Sequence, residues 1–186
     1  SASAVQPMQV ARLDPSGAIL EGPTPIIEHE TGSYMTYSAV ELEDGSLAIV
    51  WVAEYSEGPT NLWFQRFGVD GSALGPQIRI GNETERHRRP AMVRGVDEDL
   101  LLFHCADDED SSENPWTIWF SRLNLDGAER APSLFVGEGA PWERPSPLVR
   151  GDRLLLGTVT HGEWFEQELV ISAFDFDGGN LESPLF

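Results

Sequence analysis

The sequence predicts an all-β fold made of repeated antiparallel units, and three observations predict it. First, a cassette recurs: Arg12-Leu-Asp-Pro-Ser-Gly17, Arg66-Phe-Gly-Val-Asp-Gly71, Arg122-Leu-Asn-Leu-Asp-Gly127 and Ala173-Phe-Asp-Phe-Asp-Gly178. Its glycines lie 54, 56 and 51 residues apart, and a proline follows each turn: Pro23, Pro76, Pro132 and Pro184. Asp-Gly between apolar alternations is a strong hairpin signal, because both turn positions favour φ > 0. Second, the apolar runs are short and are bounded by Gly, Pro or Asp. Third, no stretch sustains the 3.6-residue period of a helix.

In chain order, a strand over residues 8–12 turns at the first cassette into a strand over 25–28. The next unit runs 38–42, Asp44-Gly45, 47–52, 62–66 and 77–80. A third runs 90–93, Asp97-Glu98, 100–105, 118–122 and 133–136. The last runs 145–149, Gly151-Asp152, 154–159, 169–173 and a short strand at 185–186. Four antiparallel strands at a period near 54 residues are the pattern of a β-propeller blade. A lone blade cannot bury both faces, and stacking buries them between neighbours. The expected organisation is a single propeller segment over 1–186. It holds an outer strand pair within 7–30 and full blades over 36–80, 88–136 and 144–186.

The stretch Asn61-Leu-Trp-Phe-Gln-Arg-Phe-Gly-Val-Asp-Gly-Ser-Ala-Leu-Gly-Pro76, with Asp44-Gly45 and Trp51 before it, resembles the repeat of large bacterial surface and secreted proteins. Those repeats carry an Asp-Gly hairpin ending in Trp, then an Arg-Phe-Asp-x-Asp-Gly-x-x-Leu-Gly cassette. The later copies are more degenerate, with His104 and Thr158 at the Trp51 position. The resemblance implies a propeller in an extracytoplasmic bacterial protein. It implies no activity, because folds of this kind host many functions.

Charge and composition exclude several classes. Acidic side chains number 31 against 12 basic ones, for a net charge of −19. Such a balance argues against nucleic acid, whose phosphates demand excess cations, and against an anionic membrane surface. No apolar run approaches the roughly 18 residues of a membrane helix, so no membrane insertion is expected. Every basic residue is arginine. The single cysteine, Cys105, excludes an internal disulfide and a Cys-rich zinc site, and its strand makes it a core thiol. The opening Ser1-Ala2-Ser3-Ala4 has the small residues found beside a signal cleavage site.

The strand count does not close a ring. The leading pair lacks two inner strands, and propellers usually need about four or more blades. The expectation is that a second polypeptide, or the remainder of a cleaved longer chain, completes it.

In a propeller the longer loops gather on one face, and loops on a rigid scaffold carry function. Aligned on the strands that follow, Tyr34, His87 and Trp142 are equivalent, as are Thr36, Arg89 and Arg144. Arg89 and Arg144 suit a carboxylate or a sugar, since arginine pairs bidentately with carboxylates. Aromatic faces pack against sugar rings or cations. Tyr34, Trp142 and Trp164 supply them, with His87 and His161 beside them. The acidic run holding Asp107, Asp108 and Asp110 has oxygen ligands enough for Ca²⁺ but lacks EF-hand spacing. No other cofactor is expected. Arg88-Arg89-Pro90 is loosely similar to the arginine motif of sialidases, whose Asp-box is absent here. The function expected is therefore a non-catalytic binding or assembly module that engages a glycan, a small polar ligand or a partner on the loop face. The alternative is a glycan-active hydrolase at the same mouth.

Overall fold

The computed structural model describes residues 7–27, 34–54, 60–81, 85–108, 116–138, 144–161 and 167–182. They are all-β, without helix. The first sheet pairs β1 (Met8–Leu13) with β2 (Ile19–Ile27). Three four-stranded antiparallel sheets follow, each a meander in chain order. The second holds β3 (Tyr34–Glu41), β4 (Leu47–Glu54), β5 (Leu62–Phe67) and β6 (Ile78–Ile80). The third holds β7 (Glu85–Arg94), β8 (Leu100–Asp108), β9 (Thr117–Leu123) and β10 (Leu134–Glu138). The fourth holds β11 (Ser146–Arg150), β12 (Arg153–His161), β13 (Gln167–Phe174) and β14 (Asn180–Glu182).

Alternation along the second strands explains how the sheets stack. Side chains of a strand point to opposite faces in turn. On β4, Ala48, Val50 and Val52 pack with Met92, Leu100 and Leu102 of the third sheet. Ile49 and Trp51 pack the other way, with Ile27 and Met8 of the first sheet. On β8, Leu101, Phe103 and Cys105 face Leu154, Leu156 and Phe174 of the fourth sheet. Three apolar layers therefore lie in series, and β4 and β8 are apolar on both faces because both are covered.

The four cassettes form one structure. In each, the residue three before the glycine pairs with the residue after it: Asp14 with Ala18, Gly68 with Ser72, Asn124 with Ala128, and Asp175 with Gly179. The glycine N–H closes the turn, for example Gly127 N to Asn124 O at 3.0 Å. The side chains of Asp14, Asn124 and Asp175 accept from the N–H groups two and four residues on. Among the cassette residues positive φ falls on the glycine alone. This corrects the expected two-residue turn: the loop is a three-residue one with a left-handed glycine bulge. The turn with two positive φ values lies elsewhere, at Asp97 (φ 55) and Glu98 (φ 59).

The second, third and fourth cassettes also clasp a neighbouring sheet. The guanidinium of Arg66 reaches Asp44 of its own sheet at 2.8 Å and Asp126 of the next at 3.7 Å. Arg122 bonds Asp99 of its own sheet and Asp177 of the next. A Cβ on Gly71 would lie 2.9 Å from Thr24 Cγ2 of the first sheet, and one on Gly127 would overlap the Phe64 ring of the second. One on Gly178 would crowd Phe120 and Leu134 of the third.

Several strand limits differ from expectation. β2 runs from Ile19, its bulges absorbing two prolines while pairing continues. β7 starts at Glu85, so Arg86 to Arg88 are strand and not loop. The last strand among the described residues is β14, at once after the turn, and residues 185–186 lie outside them.

Candidate functional site at the head of the first strands

The first strands of the three four-stranded sheets run beside one another. β7 touches both β3 and β11, and Met92 N donates to Ser38 Oγ at 3.0 Å. Their starting ends form the head of the molecule, where most of the predicted site residues fall. Here the chain gathers Arg86, Arg88, Arg89 and Arg144, four of its 12 basic residues, in a protein of net charge −19.

Arg89 is the distinctive residue. Between Arg88 and Ala91 the β7–β8 register shifts by one residue, which leaves Arg89 at φ 53. The cause is the next residue. Pro90 has no N–H to give the ladder, so the strand bulges there. The bulge corrects the expected equivalence. Thr36 lies opposite Val52, but opposite the matching Cys105 stands Arg88, not Arg89. His87 accordingly pairs with Ala106 as Met35 pairs with Ala53, so it does not take the place of Tyr34. A proline inside a predicted strand was the available signal.

Arg89 is half-buried, and its buried Nε makes no hydrogen bond. Its charge lies close enough to Cys105 to oppose the burial that pushes that thiol up to about 12. Cys105 is thus an inert core thiol. The Arg88 guanidinium lies over the Trp116 ring, 4.9 Å from its centroid. This contact was not foreseen, because Trp116 follows an acidic loop and nothing in the spacing ties it to β7. Arg144 precedes β11 and is exposed. Partial desolvation lowers its pKa, against the pull of Tyr37 on β3.

His87 is buried and meets His104 edge-on, with ring centroids 5.0 Å apart. Its backbone ties down the segment before β5: Thr60 Oγ1 donates to His87 O at 2.6 Å, and His87 N donates to Thr60 O. With Trp119, Glu129 and Ser133, the two histidines line a cavity of about 360 Å³ between the second and third sheets. Burial, then the neighbouring His87, lowers His104 to about 3, so it stays neutral. Trp51 takes this place in the second sheet, which supports the packing role expected for His104.

Of the remaining predicted residues, Tyr34 opens β3 and His161 ends β12, with side chains outside the described residues. Trp142 and Trp164 lie wholly outside them, as does Asp110. Asp107 is half-buried near the end of β8, opposite Arg86, and Asp108 follows it with its side chain outside the described set. Among the described residues no three His, Cys, Asp or Glu side chains group as metal ligands. The chain matches no known family model and no curated protein.

Proposed function

We propose that the chain is an arc of a β-propeller and acts as a non-catalytic binding module of an extracytoplasmic protein, its head taking a polar ligand that carries a carboxylate. The repeated meanders, their series of face-to-face layers and the adjoining first strands support the propeller reading. One observation carries the ligand reading. Arg89 is held in a left-handed backbone conformation with a buried guanidinium nitrogen that lacks an acceptor. Such strain concentrates at functional sites, and a bound anion is one partner that would satisfy a buried donor of this kind. Arg88 stacked on Trp116 adds a cation and an aromatic edge of the kind that acidic sugars fit.

The test is a titration with glucuronate and galacturonate, with glucose as the neutral control, followed by the Trp116 indole N–H resonance. The acids are expected to shift it and glucose to leave it in place. Arg89→Ala should weaken binding about tenfold or more, the usual loss for a charge-assisted hydrogen bond. Equal responses to acid and neutral sugar, or full binding by the Arg89→Ala protein, would refute the reading.

A further inference from the structure

We infer that the edge of β1 that is unpaired among the described residues accepts a further β-hairpin, and that Arg12 recognises an acidic side chain in the turn of that hairpin. The inference rests on the reading of the chain as repeated sheets and not on the ligand site. Three cassettes show what belongs beside the fourth. The inner edges of β5, β9 and β13 are each paired to a hairpin: β3–β4, β7–β8 and β11–β12. β1 carries the same cassette, the same turn bonds and the same closing pair, since Leu13↔Ile19 matches Phe67↔Ala73, Leu123↔Glu129 and Phe174↔Asn180. Yet among the described residues β1 pairs with β2 alone.

A groove of about 280 Å³ lies between the first and second sheets beside this edge. Val10, Arg12 and Leu13 of β1 with Glu21 and Thr24 of β2 line one side, and Glu41 and Leu47 of the second sheet line the other. Leu13 is 54% exposed, whereas its counterparts Phe67, Leu123 and Phe174 are at 3% or less. The cation fits the same picture. Arg66 bonds Asp44 and Arg122 bonds Asp99, each in the turn of its own hairpin. Arg12 makes no ion pair among the described residues and faces Glu21 across the ladder. The occupant is thereby defined: two antiparallel strands, the one next to β1 apolar on both faces, joined by a turn that carries an aspartate. Its main chain would extend the ladder, the mode in which backbone bonds give affinity and side-chain pockets give specificity.

A synthetic peptide of residues 34–54, which has this chemistry, serves as the probe, with amide hydrogen exchange of residues 8–13 as the readout. Added peptide is expected to slow exchange across β1 and leave β6 and β10 unchanged. Arg12→Glu should weaken binding about threefold or more, and an Asp44→Asn change in the peptide should do the same without adding to it. Because a free hairpin is marginal, the same segment is also joined ahead of residue 8 by a flexible linker, which raises its local concentration. The joined protein should melt several degrees higher with β1 protected. Unprotected β1 amides in the joined protein, or protection indifferent to Arg12, would overturn the inference. So would concentration-dependent protection without peptide, which would make the occupant a second copy. None of these readouts depends on uronic acid binding.

Discussion

His104 lies between the second and third sheets, 2% exposed, with the His87 ring at its edge. The ring is buried and the neighbouring His87 adds no anion, so the imidazolium form is penalised and the folded pKa falls from 6.5 to about 3. The sign of the consequence follows from proton counting. Below pH 6.5 the unfolded chain takes up a proton at this residue and the folded chain does not, so stability falls as the pH drops. Above that point the contribution is fully present. Between pH 7.5 and 5.0 the loss assigned to His104 is about 2 kcal/mol, and it hardly depends on where below pH 5 the folded group titrates. Urea unfolding at the two pH values should show wild type losing about that much more than His104→Leu. Parallel losses in the two proteins would mean that His104 titrates normally in the fold.

Turns and bulges set the elements, and they were legible to different degrees. The cassette spacing located the four turns that the cassettes contain, because glycine at φ > 0 is a chemical requirement that the sequence must display. The turn type was not legible from Asp-Gly alone. In three of the four turns the side chain three before the glycine, Asp14, Asn124 or Asp175, bonds forward to the main chain and favours the three-residue loop, which the second turn forms with Gly68 at that place. The β7 bulge was hidden for a similar reason, since it depends on Pro90 within a run that otherwise alternates well. Two glycines in the same turn now separate local strain from docking. Gly17 (φ +87) has nothing within 4 Å of a built Cβ, whereas Gly127 (φ +84) lies against Phe64 of the preceding sheet. Gly17→Ala should therefore cost only left-handed strain, about 1 kcal/mol. Gly127→Ala adds overpacking and should cost about 3 kcal/mol. Equal costs in chemical denaturation would show that the turn does not dock through its glycine.

At the scale of the molecule, sequence revealed the stacking and concealed the clasps. Runs such as residues 47–52 and 100–105 are apolar at every or nearly every position, which only a strand covered on both faces requires. The Arg122–Asp177 pair joins residues 55 apart, and no local pattern announces so distant a partner. The head was legible as a place but not as a geometry, because the contact of Arg88 with Trp116 crosses from one strand to the end of a long loop. The stacking also has an end. On β13, Leu169 stands opposite Val159 as Ile118 stands opposite Cys105 and Leu62 opposite Val52. Leu62 and Ile118 are buried against the following sheet, yet Leu169 is 60% exposed, and Leu148 of the same sheet is 58% exposed. Three sheet interfaces therefore carry the stability of the chain, and the outer face of the fourth sheet carries little. Ile118→Ala should cost about 2–5 kcal/mol through the cavity that it leaves. Leu169→Ala should stay within about 0.5 kcal/mol, as at an ordinary surface position. Urea midpoints of the two variants measured side by side decide the point. A Leu169 loss that matches the Ile118 loss would mean that a further sheet covers this face in solution, and that the series of layers closes upon itself.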